Sequence, residues 1–238
     1  MRLIDLTMPL YEGMPNVHGH VAFKNHPIWP SPWKTEVVRS FEEGGAEFHV
    51  FTFFCEPGTR FILPSYRKIY KDDPRRLDTV DINKLIFRDA VVVDIPKGER
   101  EFIRPEDLEE AVNKAPCQRG DALLIRTGWG DDERYLKLGL AYRELSPRYT
   151  DTAGEKLMEL LQSKSTDMWL YDNCEMTTPF IDGISGRRGS FTIRPGLTAI
   201  GGIVNAGAIK KPRVKLVIGP IKIKGVHMGP CRVIAIED

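Results

Sequence analysis

Apolar residues in this chain fall into short runs separated by turn residues, and the runs have strand rather than helix periodicity. Residues 3 to 10 and 47 to 54 alternate or run apolar as strands do. Ala90-Val91-Val92-Val93-Asp94-Ile95, Ala122-Leu123-Leu124-Ile125-Arg126 and Met168-Trp169-Leu170-Tyr171 predict buried strands. Further strands are expected over 197–204, 214–218 and 231–236. Two segments have helix character. Pro105-Glu106-Asp107-Leu108 places proline and acids in a first turn, where they suit the missing donors and the macrodipole. Residues 152 to 163 carry Leu157, Leu160 and Leu161 on one face. Between the first two strands lies a segment punctuated by Gly13, Pro15, Gly19, Pro27, Pro30 and Pro32, which reads as one long loop. No repeat or linker divides the chain, so residues 1–238 are expected to form a single α/β domain, a mixed sheet with flanking helices.

Composition narrows the function without choosing it. The chain has 42% hydrophobic and 28% charged residues and a formal net charge of +1. This is globular composition, with nothing that recommends a nucleic-acid or membrane partner. Met1-Arg2-Leu3-Ile4-Asp5 lacks the basic lead and apolar core of a secretion signal. Cys55, Cys117, Cys174 and Cys231 are widely spaced, as reduced thiols of a cytoplasmic protein would be.

The most informative stretch is Glu56-Pro57-Gly58-Thr59-Arg60-Phe61-Ile62-Leu63-Pro64-Ser65-Tyr66. With Gly58, Thr59 and Pro64 in register, it resembles the HxGTHxDxPxH signature of the cyclase family, which includes kynurenine formamidases and isatin hydrolases. Further likeness lies in Ile4-Asp5-Leu6-Thr7-Met8-Pro9-Leu10, in Arg119-Gly120-Asp121 through Arg126-Thr127-Gly128-Trp129, and in the tail from Gly219-Pro220-Ile221 to Ile236. The resemblance implies the swivelling β/β/α fold and a homodimer or homotetramer. The activity it implies is metal-assisted water attack on an amide, lactam or lactone, commonly with zinc or manganese.

The metal ligands, however, are replaced. The family's first histidine falls on Glu56, its second on Arg60, its aspartate on Ile62, its last histidine on Tyr66, and a later glutamate on Gly201. Only Glu56 among these is an ordinary ligand, and Arg60 is permanently positive and would repel a divalent ion. No cofactor is therefore expected, unless His18 and His20 help to rebuild a site; the plainer reading makes them surface loop residues.

Two clusters remain as candidate chemistry. Arg60, with Thr59, Trp29 and Arg188, would bind a small anionic substrate, the guanidinium taking its carboxylate in a bidentate fork. Arg187 and Arg188 equally suit a solvated loop. Glu56, Tyr66 and the pair Asp172 and Glu175 are the candidates for proton transfer. Glu56 and Arg60 could instead pair only to hold their loop, and Asp172 could cap a helix. His49 reads as a hydrogen-bonded core histidine, and Trp129 as a packing residue. Three functions stay open: a metal-free hydrolase-like or lyase-like enzyme, a non-catalytic binding or scaffold protein, and a metal amidohydrolase with relocated ligands.

Overall fold

The computed structural model describes residues 1–15, 33–66, 70–172 and 194–238. Its strands are β1 (Arg2–Asp5), β2 (Trp33–Arg39), β3 (Phe48–Phe53), β4 (Arg60–Ile62), β5 (Ile86–Asp94), β6 (Phe102–Ile103), β7 (Ala122–Arg126), β8 (Arg148–Tyr149), β9 (Met168–Tyr171), β10 (Thr198–Gly201), β11 (Arg213–Pro220) and β12 (Met228–Glu237). The helices are α1 (Phe41–Gly44), α2 (Pro105–Lys114), α3 (Arg134–Leu138), α4 (Ala141–Glu144) and α5 (Asp151–Ser163).

The main sheet is eight-stranded, in the order β1-β12-β11-β5-β7-β9-β10-β4, and β4 also pairs with β12. Strand β12 is long enough to serve two neighbours on one edge, β1 along residues 234–237 and β4 along residues 228–230. The sheet thereby closes on itself, which removes the edges an open sheet would leave unpaired. Strands β5, β7, β9 and β10 run parallel; β11 pairs antiparallel with β5 and β4 with β10, and β12 pairs antiparallel with both β11 and β4.

Closure explains the continuous apolar runs, because each parallel strand is buried on both faces. Ala90, Val92, Leu124, Leu170 and Ile200 point into the ring with Phe61, Leu216 and Val233. Their alternates Val91, Val93, Leu123, Ile125 and Trp169 face outward and are covered by Leu108 and Val112 of α2 and Leu157 and Leu161 of α5. Each such side chain contributes about 1.5–3 kcal/mol on burial. Helix α2 begins at Pro105 as expected, with the Asp107 carboxylate accepting from the Arg104 amide at 2.8 Å. Helix α5 is capped by Thr150, whose hydroxyl accepts from the Ala153 amide at 3.1 Å.

Two expectations are corrected. The supposed loop ahead of residue 47 contains β2 and α1, and β2 pairs with β3 in a separate two-stranded sheet. Trp33 at its start packs against the Trp129 cluster, whereas Val37, Val38, Phe48 and Phe51 are exposed. His49 lies on it, outside the core, bonded to Glu47 at 2.8 Å and stacked on Phe51. Trp129 is buried as expected, its indole N–H donating to the Tyr142 carbonyl and the Arg134 guanidinium lying over its ring. No helix among the described residues is long and apolar enough to cross a membrane.

Candidate functional site

The carboxyl ends of parallel strands are where an α/β sheet offers a crevice for ligands. For β9 and β10 those ends are Tyr171 and Gly201, and the substituted motif is brought to them by strand pairing. Arg60, the first residue of β4, lies opposite Gly201 on one side and Pro230 on the other.

The motif loop is held from three directions. The Thr59 hydroxyl donates to the Gly202 carbonyl at 2.7 Å and accepts from the Met8 amide at 2.8 Å. The Thr59 carbonyl accepts from the Cys231 amide at 3.0 Å. Distant parts of the chain thus converge on one buried threonine. Gly58 has φ +52°, a left-handed conformation that glycine adopts without the Cβ penalty. A Cβ there would also press on Met14, at 3.1 Å from its Cε.

Arg60 is only 3% exposed and Glu56 only 5%. The Arg60 guanidinium donates to the Gly58 carbonyl at 3.2 Å and, at the long limit, to the Tyr171 hydroxyl at 3.4 Å. Both Glu56 and Arg60 act on the neighbouring thiol. Burial pushes Cys55 up to about 11, the Glu56 charge adds to this, and Arg60 opposes it. At neutral pH that sulfur is a thiol, which removes the condition for a cysteine nucleophile.

Further along the motif the character changes. Ile62 packs with Ala199 and Met228 in the outer core, and Tyr66 rests half-buried against the same cluster. Ser65 meets His227 at 2.9 Å. Burial, helped by Arg76, holds the His227 imidazole below its ordinary value of 6.5. A lowered histidine value means the unfolded chain takes up the proton more readily. His227 should then contribute stability above pH 6.5 that is lost as pH falls through the folded value. Urea unfolding at pH 8.0 and at about 5.5 should show this loss in the natural chain and a flatter response in His227→Gln. An unchanged slope would remove His227 as its source.

Asp172 is fully buried at the end of β9. Its carboxylate accepts from the Thr127 amide at 2.9 and 3.0 Å, the Thr127 hydroxyl at 2.7 Å and the Gly128 amide at 2.8 Å. These bonds favour the carboxylate, but burial outweighs them and raises its proton affinity. The observed arrangement is therefore a clamp on the turn after β7. Tyr149 is also buried nearby, its hydroxyl pushed well up by burial and by the Asp172 and Tyr171 groups.

The structure thus places Glu56, Thr59, Arg60 and Asp172 at one end of the sheet and sets Tyr66 against the outer core. Glu175, Trp29 and Arg188 lie outside the described residues, as do His18 and His20. Sequence reasoning missed Tyr171 and Gly202 as parts of the site, and took Gly201 only as the place of a replaced glutamate. The available signal was a Gly-Gly pair interrupting a β run, which marks a close approach of other atoms.

The matched donor set does not fit a divalent metal. Among the described residues no three His, Cys, Asp or Glu side chains come together in a group that could hold one.

The family model described as "Putative cyclase" matches residues 4–173. Among solved structures, isatin hydrolase A from Ralstonia solanacearum superposes with a TM-score of 0.75 at 20% identity, over 98% of this chain and 91% of that one. Isatin hydrolase A from Labrenzia aggregata, bound to benzyl benzoate, gives 0.76 at 19% identity, over 98% and 93%. An isatin hydrolase bound to the product analogue thioisatinate gives 0.77 at 19% identity, over 98% and 91%. No curated protein sequence matches this chain.

Proposed function

Because this chain belongs to the cyclase family, its model matching residues 4–173, we propose that it is a hydrolase-like enzyme working without the family's metal. Its substrate is a small carboxylate-bearing amide, lactone or related compound. The observation that carries this reading is the polar filling of the altered site. Glu56 and Arg60 are each buried and the charges of both act on the Cys55 thiol, in a place where a scaffold protein would gain more from apolar residues.

In this reading Arg60 orients the substrate through its carboxylate, and its charge also favours negative charge developing nearby. Glu56 takes a proton from water, whose oxygen adds to the substrate carbonyl; the proton is then returned to the departing nitrogen or oxygen. Tyr66 and Glu175 are the other proton-transfer candidates. Asp172 acts on the site by holding Thr127 and Gly128.

N-formylanthranilate, an amide that bears a carboxylate, is a suitable first substrate, and isatin, the cyclic amide in the name of the similar structures, is the comparison that lacks one. Turnover should survive exhaustive chelation. Both Arg60→Ala and Glu56→Gln should lower kcat/KM at least about 100-fold, since each removes a group needed in the transition state. Turnover that vanishes on chelation and returns with added zinc would overturn the metal-free mechanism. Binding of these compounds with no turnover would favour the scaffold reading instead.

A further inference from the structure

The place of the family's glutamate is physically occupied. Gly201 stands at that position, and a Cβ built on it would lie 2.5 Å from Cζ of Tyr171 and closer still to the phenolic oxygen. No side chain fits there while Tyr171 keeps its place. The next residue, Gly202, has φ +69°, and a Cβ on it would lie 2.7 Å from the Gly58 carbonyl oxygen and 3.1 Å from Nη1 of Arg60. The two glycines therefore border the Arg60 guanidinium and the Tyr171 phenol on adjacent sides. The guanidinium contacts that phenol and the Gly58 carbonyl.

We propose that Arg60, positioned by Tyr171 on the Gly201–Gly202 cradle, stands as a fixed organic cation in place of the divalent metal, and that the exchange is concerted across these residues. The proposal deepens the metal-free reading above and names Tyr171 as the positioning residue. Restoring one ligand cannot restore a metal site. A carboxylate at position 201 collides with Tyr171, and a divalent ion beside Arg60 meets a like charge that no pH within the protein's range removes. Tyr171, Gly201 and Arg60 must change together. This accounts for why the substitutions occur in both halves of the sequence, in residues the fold brings into contact.

The test is zinc affinity measured against a competing chelator, a readout that needs no substrate and so fails separately from the hydrolase-like assignment. The natural chain and Gly201→Glu should hold no stoichiometric zinc. Combining Arg60→His, Tyr171→Ala and Gly201→Glu gives the site an imidazole and a second carboxylate beside Glu56, the minimum donor set for zinc. That variant should bind at least about 100-fold more tightly than the natural chain, about 2.8 kcal/mol. Zinc held by the natural chain and released by Glu56→Gln would overturn the proposal. So would a gain from Gly201→Glu alone equal to that of the triple variant. Should the triple variant not fold, a stability cycle decides. Gly201→Ala should destabilise the natural chain and be relieved in a Tyr171→Ala background; equal costs in the two backgrounds would refute the cradle.

Discussion

Replacing Asp172 by alanine is expected to destabilise the folded chain by about 3–5 kcal/mol, because the carboxylate satisfies several buried donors at once. The Thr127 and Gly128 amides and the Thr127 hydroxyl all donate to it. Truncation leaves these groups in a site with 0% exposure at Asp172, where water has poor access. Each orphaned donor costs about 1–3 kcal/mol, and the costs overlap because the groups belong to one turn. In a chain of this length the fall in Tm should be roughly 10 °C. Asp172→Asn keeps the shape and one carbonyl acceptor, so its loss should be clearly smaller. The pH response separates charge from shape. Burial raises the folded-state value above the ordinary 3.8, so the folded chain holds this proton more tightly than the unfolded chain. The corresponding stability is present below pH 3.8 and declines as pH rises through the folded value, and Asp172→Asn should abolish that decline. Denaturant titrations of both variants across pH make the check. An alanine variant as stable as the natural chain would rule out the clamp.

The same contacts show what could be read from sequence. The strands over 122–126 and 168–171 were legible because burial on both faces demands uninterrupted apolar residues. Helix α2 was legible from Pro105 and its acidic first turn. Strand β2 was not, because a hairpin outside the ring needs no apolar face, and Pro30 and Pro32 just before it signal a loop. The motif loop was visible through Gly58 and Thr59, residues whose local geometry constrains their identity. Tyr171 was hidden because it reads as one more apolar position on a strand. Its role depends on Arg60, 111 residues away along the chain, and on the room left by Gly201. Asp172 was visible as a buried acid, but its partners at a separation of 45 residues, and hence its clamping role, required the fold.

Gly202→Ala should be comparably damaging, and for a reason distinct from the loss of a donor's partner. The residue has φ +69°, and a left-handed conformation costs an alanine about 1–2 kcal/mol. Its new methyl group would meet the Gly58 carbonyl oxygen at 2.7 Å, a backbone atom that cannot rotate away. Relief requires the strands to part, and overpacking of this kind adds about 1–3 kcal/mol. The combined expectation is about 2–5 kcal/mol. Gly225 supplies the control, because it has φ +77° but open space around its Cβ. Gly225→Ala should therefore cost only the conformational part, about 1–2 kcal/mol. The difference between the two variants in chemical unfolding measures the close approach itself. A second consequence follows from what the parting strands carry. The Gly202 carbonyl accepts the Thr59 hydroxyl at 2.7 Å, and Gly58 accepts from Arg60 at 3.2 Å. Moving either backbone shifts the guanidinium, so Gly202→Ala should impair function at temperatures where it is still folded, whereas Gly225→Ala should not. Equal stability losses in the two variants would mean that the Gly58–Gly202 contact does not hold the site together.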